Sequence, residues 1–248
     1  MGWFALVVLV CGLALLLAGR EGTEKLVTEV IRIEAAGEVG PPPDEHGLPA
    51  ELIERLLAST VGVRGLDCRK AQVGSGFLVE GGLVVTSAHV VAGITSPVVS
   101  VGAEKVVTRV VGFDRVADLA VLQPVGEHLL PPPLELGDPV VGTVGAILVY
   151  DQEGPRAIPV QVAQAIRATG ADVYGDPASG RDALVLAAKV ETGHSGSAVV
   201  DLDGRVVGVT FSRSRGEPLI AYAVQSGSIV KLLDRVKKTR ETAGRCID

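Results

Sequence analysis

The sequence predicts an all-β domain, built as a barrel or a sandwich, over most of its length. From residue 61 onward, apolar runs of strand length alternate with glycine-containing breaks, as in "GSGFLVEGGLVVTSAHVV", "DLAVLQP" and "SAVVDLDGRVVGVTFS". The 31 glycines and 14 prolines supply many turns, and Asp203-Gly204 between two apolar runs predicts a hairpin. Because aromatic residues make up only 3% of the chain, we expect a core of Val, Leu, Ile and Ala.

Two helices are expected to flank these strands. "LPAELIERLLAST" carries apolar residues at helical spacing, which predicts a short helix packed on the domain. "SGSIVKLLDRVKKT" predicts an amphipathic C-terminal helix, with Ser226 as its cap and Lys237 and Lys238 in its last turns.

The N-terminal residues predict a membrane segment. Residues 1–19 carry no charge and span a length close to that of a bilayer core, so they form either a transmembrane anchor or a cleaved signal peptide. The anchor is favoured because no basic n-region and no Ala-x-Ala site precede Arg20. Residues 20–47 are polar and contain "GPPPDEHG", which is typical of a stalk. Residues 48–248 would then form a domain outside the cytoplasm, held in the cell membrane by a single pass.

The cysteines fit an exported protein. Cys68 and Cys246 predict a disulfide that ties the C-terminus to the domain and clamps the last helix across the second half of it. Closure of so long a loop contributes about 4–5 kcal/mol in the chain-entropy treatment. The alternative is two free buried thiols. Cys11 is interpreted as an apolar residue of the membrane segment.

Composition argues against several functional classes. The net charge is −6 and no block of Lys and Arg is interleaved with aromatics, so nucleic-acid binding is not expected. There is no Cys-x-x-Cys or His-x-x-x-His pair, which disfavours a metal sensor. We expect no metal and no cofactor.

Three segments together predict nucleophilic catalysis. "GHSGSAVV" places Ser195 on a glycine-rich turn, and a serine nucleophile needs a base. His46 lies in the predicted stalk, His128 in a predicted surface loop and His194 beside the serine. His89, in "VVTSAHVVAG" at the end of an apolar strand, is the candidate base because a rigid element fixes its ring.

The candidate orienting carboxylate is Asp118, at the head of the apolar run in "DLAVL". An aspartate there can be buried and still reach an imidazole. Asp114, four residues earlier, is interpreted as a solvated turn residue.

These segments resemble those of trypsin-like serine peptidases. "TSAHVV", "DLAVL" and "GHSGSAVV" occur in that family's order His, Asp, Ser. With "GSGFLVEGGLVVTSAHVVAG" and the terminal "GRC", residues 50–248 resemble in particular the actinobacterial MarP-type, membrane-anchored periplasmic proteases. The resemblance implies a chymotrypsin fold with two six-stranded β-barrels, at roughly residues 60–130 and 135–225. It further implies a monomeric serine endopeptidase acting on protein substrates in envelope stress or protein processing.

By the same resemblance, each site residue has an expected role. Ser195 attacks the peptide carbonyl, His89 transfers the proton, and Asp118 orients His89. The backbone N–H groups of Gly193 and Ser195 form the oxyanion hole.

The pocket for the substrate residue before the cut is also assigned by position. The candidates are Lys189, Thr192, Phe211, Ser212 and Arg213. Lys189 stands near the pocket floor, where no aspartate occurs, which argues against a preference for Arg or Lys. Alternatively, Lys189 and Arg213 are ordinary surface charges.

The sequence departs from the family at the residue before the nucleophile. His194 replaces the usual Asp or Asn, so activation through a pair with a freed N-terminal amine is not expected. Ser197 and Ala198 are small replacements for Gly and Pro. A catalytically silent or latent binding or chaperone module is the alternative function. A lipase-like hydrolase is disfavoured because the residue order is reversed and Gly-x-Ser-x-Gly is absent.

Overall fold

A computed structural model describes residues 38–66, 70–214 and 216–247. The expected membrane segment (1–19), most of the expected stalk, and Cys68 lie outside the described residues. Residues 38–47 contain no helix or strand. None of the helices that the structure describes combines the length and apolar character that a membrane span requires.

In the part of the chain that the structure describes, twelve strands form two closed barrels of six antiparallel strands each, as the resemblance implied. In the first barrel the strands follow the order β1-β2-β3-β6-β5-β4. They are β1 (Thr60–Leu66), β2 (Ala71–Val79), β3 (Leu83–Thr86), β4 (Val98–Val101), β5 (Glu104–Asp114) and β6 (Leu119–Pro124).

The second barrel follows the order β10-β11-β12-β9-β8-β7. Its strands are β7 (Val144–Asp151), β8 (Gly154–Ala171), β9 (Pro177–Ala187), β10 (Ala198–Val200), β11 (Val206–Arg213) and β12 (Ile220–Gln225). The predicted hairpin at Asp203-Gly204 joins β10 and β11, and Gly204 has a φ of +80°.

Four short helical segments complete the described structure. They are α1 (Ala50–Ala58), a 3-10 turn (Glu80–Gly82), α2 (Ala88–Val91) and α3 (Ser226–Lys238). The predicted helix at the start of the domain is α1, whose Leu52 and Leu56 side chains lie against Gly204 of the second barrel.

The barrel interiors are filled by β-branched and small aliphatic side chains, with few aromatics. Buried and exposed positions alternate along much of β5, as a half-buried strand requires. Register shifts in β5, β8 and β11 mark β-bulges, which bend strands sharply enough to close small barrels.

The C-terminal helix α3 packs mainly on β5 and β6 of the first barrel, rather than across the second barrel as predicted. Gly112 sits at the β5 bulge, and a Cβ there would lie 2.4 Å from Val236 of the helix. The absence of a side chain therefore lets the helix approach. Ser226 is not the cap: Gln225 precedes the first turn, and the Ser226 hydroxyl is buried without a hydrogen-bond partner in the described structure.

Candidate active site

His89 and Asp118 are brought together by the pairing of β3 with β6. Thr86, the last residue of β3, pairs with Ala120 of β6. His89 follows Thr86 by three residues on α2, and Asp118 precedes Ala120 by two. The strand register therefore places the imidazole beside the carboxylate, although the two residues are 29 positions apart.

The Asp118 carboxylate holds His89 through two hydrogen bonds. One oxygen accepts the main-chain N–H of His89 at 2.9 Å, and the other lies 2.8 Å from the ring Nδ1. Asp118 is 4% exposed, whereas 32% of the His89 side chain remains accessible. The carboxylate thus fixes the ring while leaving its other edge open to a ligand.

Asp118 adopts a φ of +58°, and it is the one non-glycine residue of the described structure with a positive φ. Such a conformation is uncommon for a residue with a side chain and persists where the surroundings impose it. Here it coincides with the residue that orients the imidazole.

Burial lowers the pKa of His89, but the charge of Asp118 and its hydrogen bond together outweigh that effect, so the pKa lies above its ordinary value of 6.5. Arg181 opposes this rise of the His89 pKa, because its positive charge disfavours the imidazolium. Its guanidinium lies 3.9 Å from the Asp118 carboxylate. Arg181 also stacks over Phe211, 4.9 Å from the ring centroid. It belongs to β9 of the second barrel, and no sequence pattern marked it as a site residue.

Ser195 lies on the turn between β9 and β10, packed against β2 of the first barrel and close to α2. Its carbonyl oxygen accepts the N–H of Ser75 at 2.8 Å. A Cβ on Gly74 would lie 2.9 Å from that same oxygen and 2.7 Å from Val90, the neighbour of His89. The half-buried Ser195 and His89 are therefore on adjoining segments from different barrels.

Gly196 explains why this turn can approach so closely. Its φ is +87°, and a Cβ there would lie 2.1 Å from the Ser75 carbonyl and 2.4 Å from the Thr86 hydroxyl. No side chain fits in that space. The second glycine of the "GHSG" motif is therefore required by packing between the two barrels.

The segment Glu191–Ser195, called the oxyanion turn below, carries the two expected oxyanion donors. His194 N donates to Glu191 O at 3.2 Å, and Gly193, with a φ of +96°, stands at the turn position that favours glycine. Among the hydrogen bonds of the described residues, none uses the N–H of Gly193 or Ser195 as its donor.

Ser75 of β2 connects the oxyanion turn to the first barrel, a role that was not predicted from the sequence. Its buried hydroxyl donates to Gly193 O at 3.2 Å and accepts the N–H of Tyr150 at 3.0 Å. Its position inside "GSGFLV" was the available signal, but a small residue between glycines is also common in ordinary strands.

The residues assigned to the specificity pocket are not gathered in one cavity. Thr192 lines a cleft of about 680 Å³ between the barrels, together with Arg64, Val73, Tyr150 and Arg156. The other four predicted pocket residues, Lys189, Phe211, Ser212 and Arg213, do not line it.

Each of those four has a separate environment. Lys189 is 72% exposed and lies 3.6 Å from Glu191. Phe211 is nearly buried and packs against Tyr222, whereas Ser212 and Arg213 lie at the end of β11.

Asp114, which was predicted to be a solvated turn residue, accepts the N–H groups of Val116 and Ala117.

Within the described ranges, no three His, Cys, Asp or Glu side chains are grouped so that they could bind a metal ion.

Comparisons of sequence and of structure with known proteins point to the same family. The profile of the trypsin-like peptidase domain matches residues 74–209. The chain is 33% identical over 212 residues to serine protease Rv3671c of Mycobacterium tuberculosis, covering 83% of this chain and 53% of that protein. It is 29% identical over 173 residues to the Do-like serine protease HtrA of Lactococcus lactis, covering 62% and 41%. The chain thus spans about half the length of the curated relatives it matches.

Solved structures agree with the sequence comparison. The active form of the Rv3671c protease superimposes with a TM-score of 0.75 at 30% identity, covering 87% of this chain and 99% of that one. The HtrA-type protease AlgW gives a TM-score of 0.66 at 21% identity, a likeness of fold.

Proposed function

Since this chain belongs to the trypsin-like peptidase domain family, we propose that it is a serine endopeptidase whose catalytic triad is His89, Asp118 and Ser195. The observation that carries this proposal is the pair of hydrogen bonds that the Asp118 carboxylate accepts from His89, beside a serine on a glycine turn from the other barrel.

The proposed reaction follows from this geometry. Asp118 accepts a hydrogen bond from the Nδ1–H of His89. The other ring nitrogen, Nε2, therefore carries the free lone pair when His89 is neutral. Nε2 takes the hydroxyl proton as Ser195 Oγ bonds to the peptide carbonyl carbon, and the imidazolium is stabilised by Asp118. The same proton then passes from His89 to the leaving amine as the C–N bond breaks, which leaves an acyl-enzyme. A water then attacks the acyl carbon while His89 takes its proton, and the Ser195 Oγ leaves with that proton as the acid product is released.

The N–H groups of Gly193 and Ser195 would stabilise the oxyanion that forms on the carbonyl oxygen. Both are available as donors within the described residues. Loss of one such donor typically lowers the rate by about 10²–10³-fold.

For specificity, we propose that Lys and Arg are poor residues before the cut. Lys189 stands near the position that the resemblance assigns to the pocket floor, and its ammonium lies 3.6 Å from the Glu191 carboxylate. Thr192, Phe211, Ser212 and Arg213 are proposed to complete this pocket on substrate binding.

The location proposed is extracytoplasmic, with the domain held as a monomer on a single membrane pass formed by residues 1–19. The apolar N-terminal sequence and the names of periplasmic DegP-like relatives support this placement. Substrates would be proteins or peptides of the envelope, and a role in envelope stress or protein processing follows from the same likeness.

We also propose a disulfide between Cys68 and Cys246. A Cβ on Gly93 would lie 2.6 Å from the Cys246 sulfur, and one on Gly65 would lie 2.5 Å from Ile94. Cys246 therefore packs at the end of α2, beside the end of β1, and Cys68 follows β1 by two residues in the sequence.

The triad proposal is tested with a fluorophosphonate probe on the full 248-residue chain. Intact mass should show one adduct on wild type, none on Ser195→Ala and none on His89→Ala. Ser197→Ala and His128→Ala are the matched controls and should retain the adduct. An adduct that persists in Ser195→Ala contradicts the assignment. Folded wild type without any adduct would favour the alternative, a latent or catalytically silent binding module in which His194 replaces the usual carboxylate.

A further inference from the structure

We propose that His194 is a positioning residue that holds the oxyanion turn only while its ring is neutral, so that proton uptake at His194 releases the turn and inactivates the enzyme in acid. This inference rests on the proposed function above. It assigns a role to the residue at which the sequence departs from its family.

The His194 ring closes the turn that carries the oxyanion donors. The residue is 3% exposed, and its ring Nδ1 accepts the main-chain N–H of Glu191 at 3.0 Å. Its own main-chain N–H donates to Glu191 O at 3.2 Å. Thr192 and Gly193 are the two residues enclosed between Glu191 and His194. A Cβ on Gly193 would meet nothing within 4 Å. The outer side of the turn is therefore open, and the His194 contacts hold it in shape.

The second ring nitrogen also faces a donor. Nη2 of Arg156 lies 3.5 Å from Nε2 of His194. A neutral imidazole has one acceptor nitrogen, whereas the imidazolium donates from both nitrogens. A protonated His194 would therefore direct two N–H groups at two donors, and the bond from Glu191 N–H would have to break.

The acidic groups around the ring are already paired. Asp151 at the end of β7 forms an ion pair with Arg156 of β8, and Glu191 lies 3.6 Å from Lys189. Across the cleft, β1 contributes a further cation, Arg64, and the β7–β8 turn contributes Glu153. Burial and then Arg156 lower the pKa of His194, against the weaker opposite effects of Glu191 and Asp151.

Two protons should therefore act in sequence as the pH falls. The pKa of His89 is raised, so His89 takes up the first proton and the base is lost. The pKa of His194 is lowered, so the second proton adds at lower pH and releases the oxyanion turn. Reactivity of Ser195 should thus fall with a slope of one and then a slope of two on a logarithmic scale.

The experiment measures the second-order rate constant for fluorophosphonate labelling of the full chain, from about pH 8 to about pH 4. In His194→Asn the side-chain oxygen can still accept the Glu191 N–H, but it does not titrate. This variant should stay within about fivefold of wild type at pH 8 and keep a slope of one throughout. Below the pKa of His194, the ratio of its labelling rate constant to that of wild type should rise about tenfold for each unit by which the pH falls.

Two further variants separate positioning from mere structure. His194→Leu removes the acceptor and should lower labelling by about 10²–10³-fold near pH 8, with a difference from wild type that narrows below the pKa of His194. The matched control is His46→Asn, because the His46 ring accepts the Leu48 N–H at 3.1 Å, far from the site. It should reproduce the wild-type profile, including the slope of two.

Equal acid slopes in wild type and His194→Asn would overturn the inference, as would wild-type labelling rates in His194→Leu. Global unfolding in the same pH range, seen by circular dichroism, would overturn it too. Wild type that never labels refutes the proposed function instead. In that case the Ser195→Ala chain still decides: titration of His194, followed by NMR, must shift the Gly193 amide resonance, and an unshifted resonance refutes the release of the turn.

Discussion

At the residue scale, the site consists of small hydrogen-bonding groups held by neighbours that are distant in sequence. Asp118 aligns His89, while Ser75 fastens the Gly193 carbonyl from 118 positions away. Each of these bonds is formed inside or at the edge of a core where water competes poorly, so each contributes more to geometry than an exposed bond would.

Asp118→Asn is the sharpest test of the orienting role. An amide can donate to His89 Nδ1 and so favour the wrong tautomer, and we expect fluorophosphonate labelling to fall by about 10³–10⁴-fold. The pKa of His89 should also fall, because the charge that raises it is removed.

The control is Asp114→Asn, since Asp114 also sits at a turn near β6 but bonds to Val116 and Ala117 rather than to a histidine. It should label within about twofold of wild type. An unchanged His89 titration in Asp118→Asn, followed by NMR, would contradict the assignment.

Ser75→Ala tests whether the oxyanion turn needs its tether to the first barrel. The variant loses the hydroxyl that bonds Gly193 O and Tyr150 N, so we expect labelling to fall by about tenfold and stability by about 1 kcal/mol. Ser59→Ala removes a comparable buried bond, from the Ser59 hydroxyl to Pro132 O, away from the site. It should lose similar stability and no reactivity. Equal labelling by both variants would show that the Ser75 bond has no part in positioning the turn.

At the element scale, the register of β3 against β6 delivers His89 to Asp118, and glycines permit the close approaches that the barrels need. Gly196 admits the serine turn between barrels, and Gly112 admits α3 against the β5 bulge. The helix α3 therefore acts as a packing element of the first barrel.

Leu232→Ala measures what this packing contributes. Leu232 is 1% exposed on the inner face of α3, so its truncation should lower the free energy of unfolding by about 2–5 kcal/mol. Val230 on the outer face is 45% exposed, and Val230→Ala should change stability by about 0.5 kcal/mol or less. Denaturant unfolding of both variants compares the two faces directly, and similar midpoints would mean that α3 is not anchored by its apolar face.

At the scale of the whole molecule, the proposed site depends on both barrels, since the proposed base and its carboxylate come from one and the proposed serine nucleophile from the other. The C-terminal segment also contacts the first barrel, next to α2. The Gly93 N–H, just after α2, donates to Ala243 O at 3.3 Å, so the chain end lies beside the helix that carries His89.

Reduction of the proposed disulfide should therefore lower both stability and reactivity. Chain-entropy estimates give up to about 4–5 kcal/mol, and labelling of Ser195 should slow because α2 loses a neighbour. The measurement is the melting temperature and the labelling rate before and after reduction verified by mass. Cys246→Ser should match the reduced protein, and Cys11→Ser should match the oxidised one. If melting and labelling are both unchanged after verified reduction, the disulfide contributes neither to stability nor to positioning of the site.

The sequence by itself determined much of this protein, because local patterns record local physics. Strand-length apolar runs and turn glycines predicted an all-β domain, and the family resemblance of the segments around His89, Asp118 and Ser195 implied the two barrels and the candidate triad. The tertiary structure alone decided the rest. Arg181 beside Asp118, Ser75 beneath Gly193 and Arg156 beside His194 are contacts between segments distant in sequence, which only the packing of the strands and of the two barrels brings together. The packing of α3 on the first barrel, rather than the second, was also decided there, since an amphipathic pattern specifies an apolar face but not its partner.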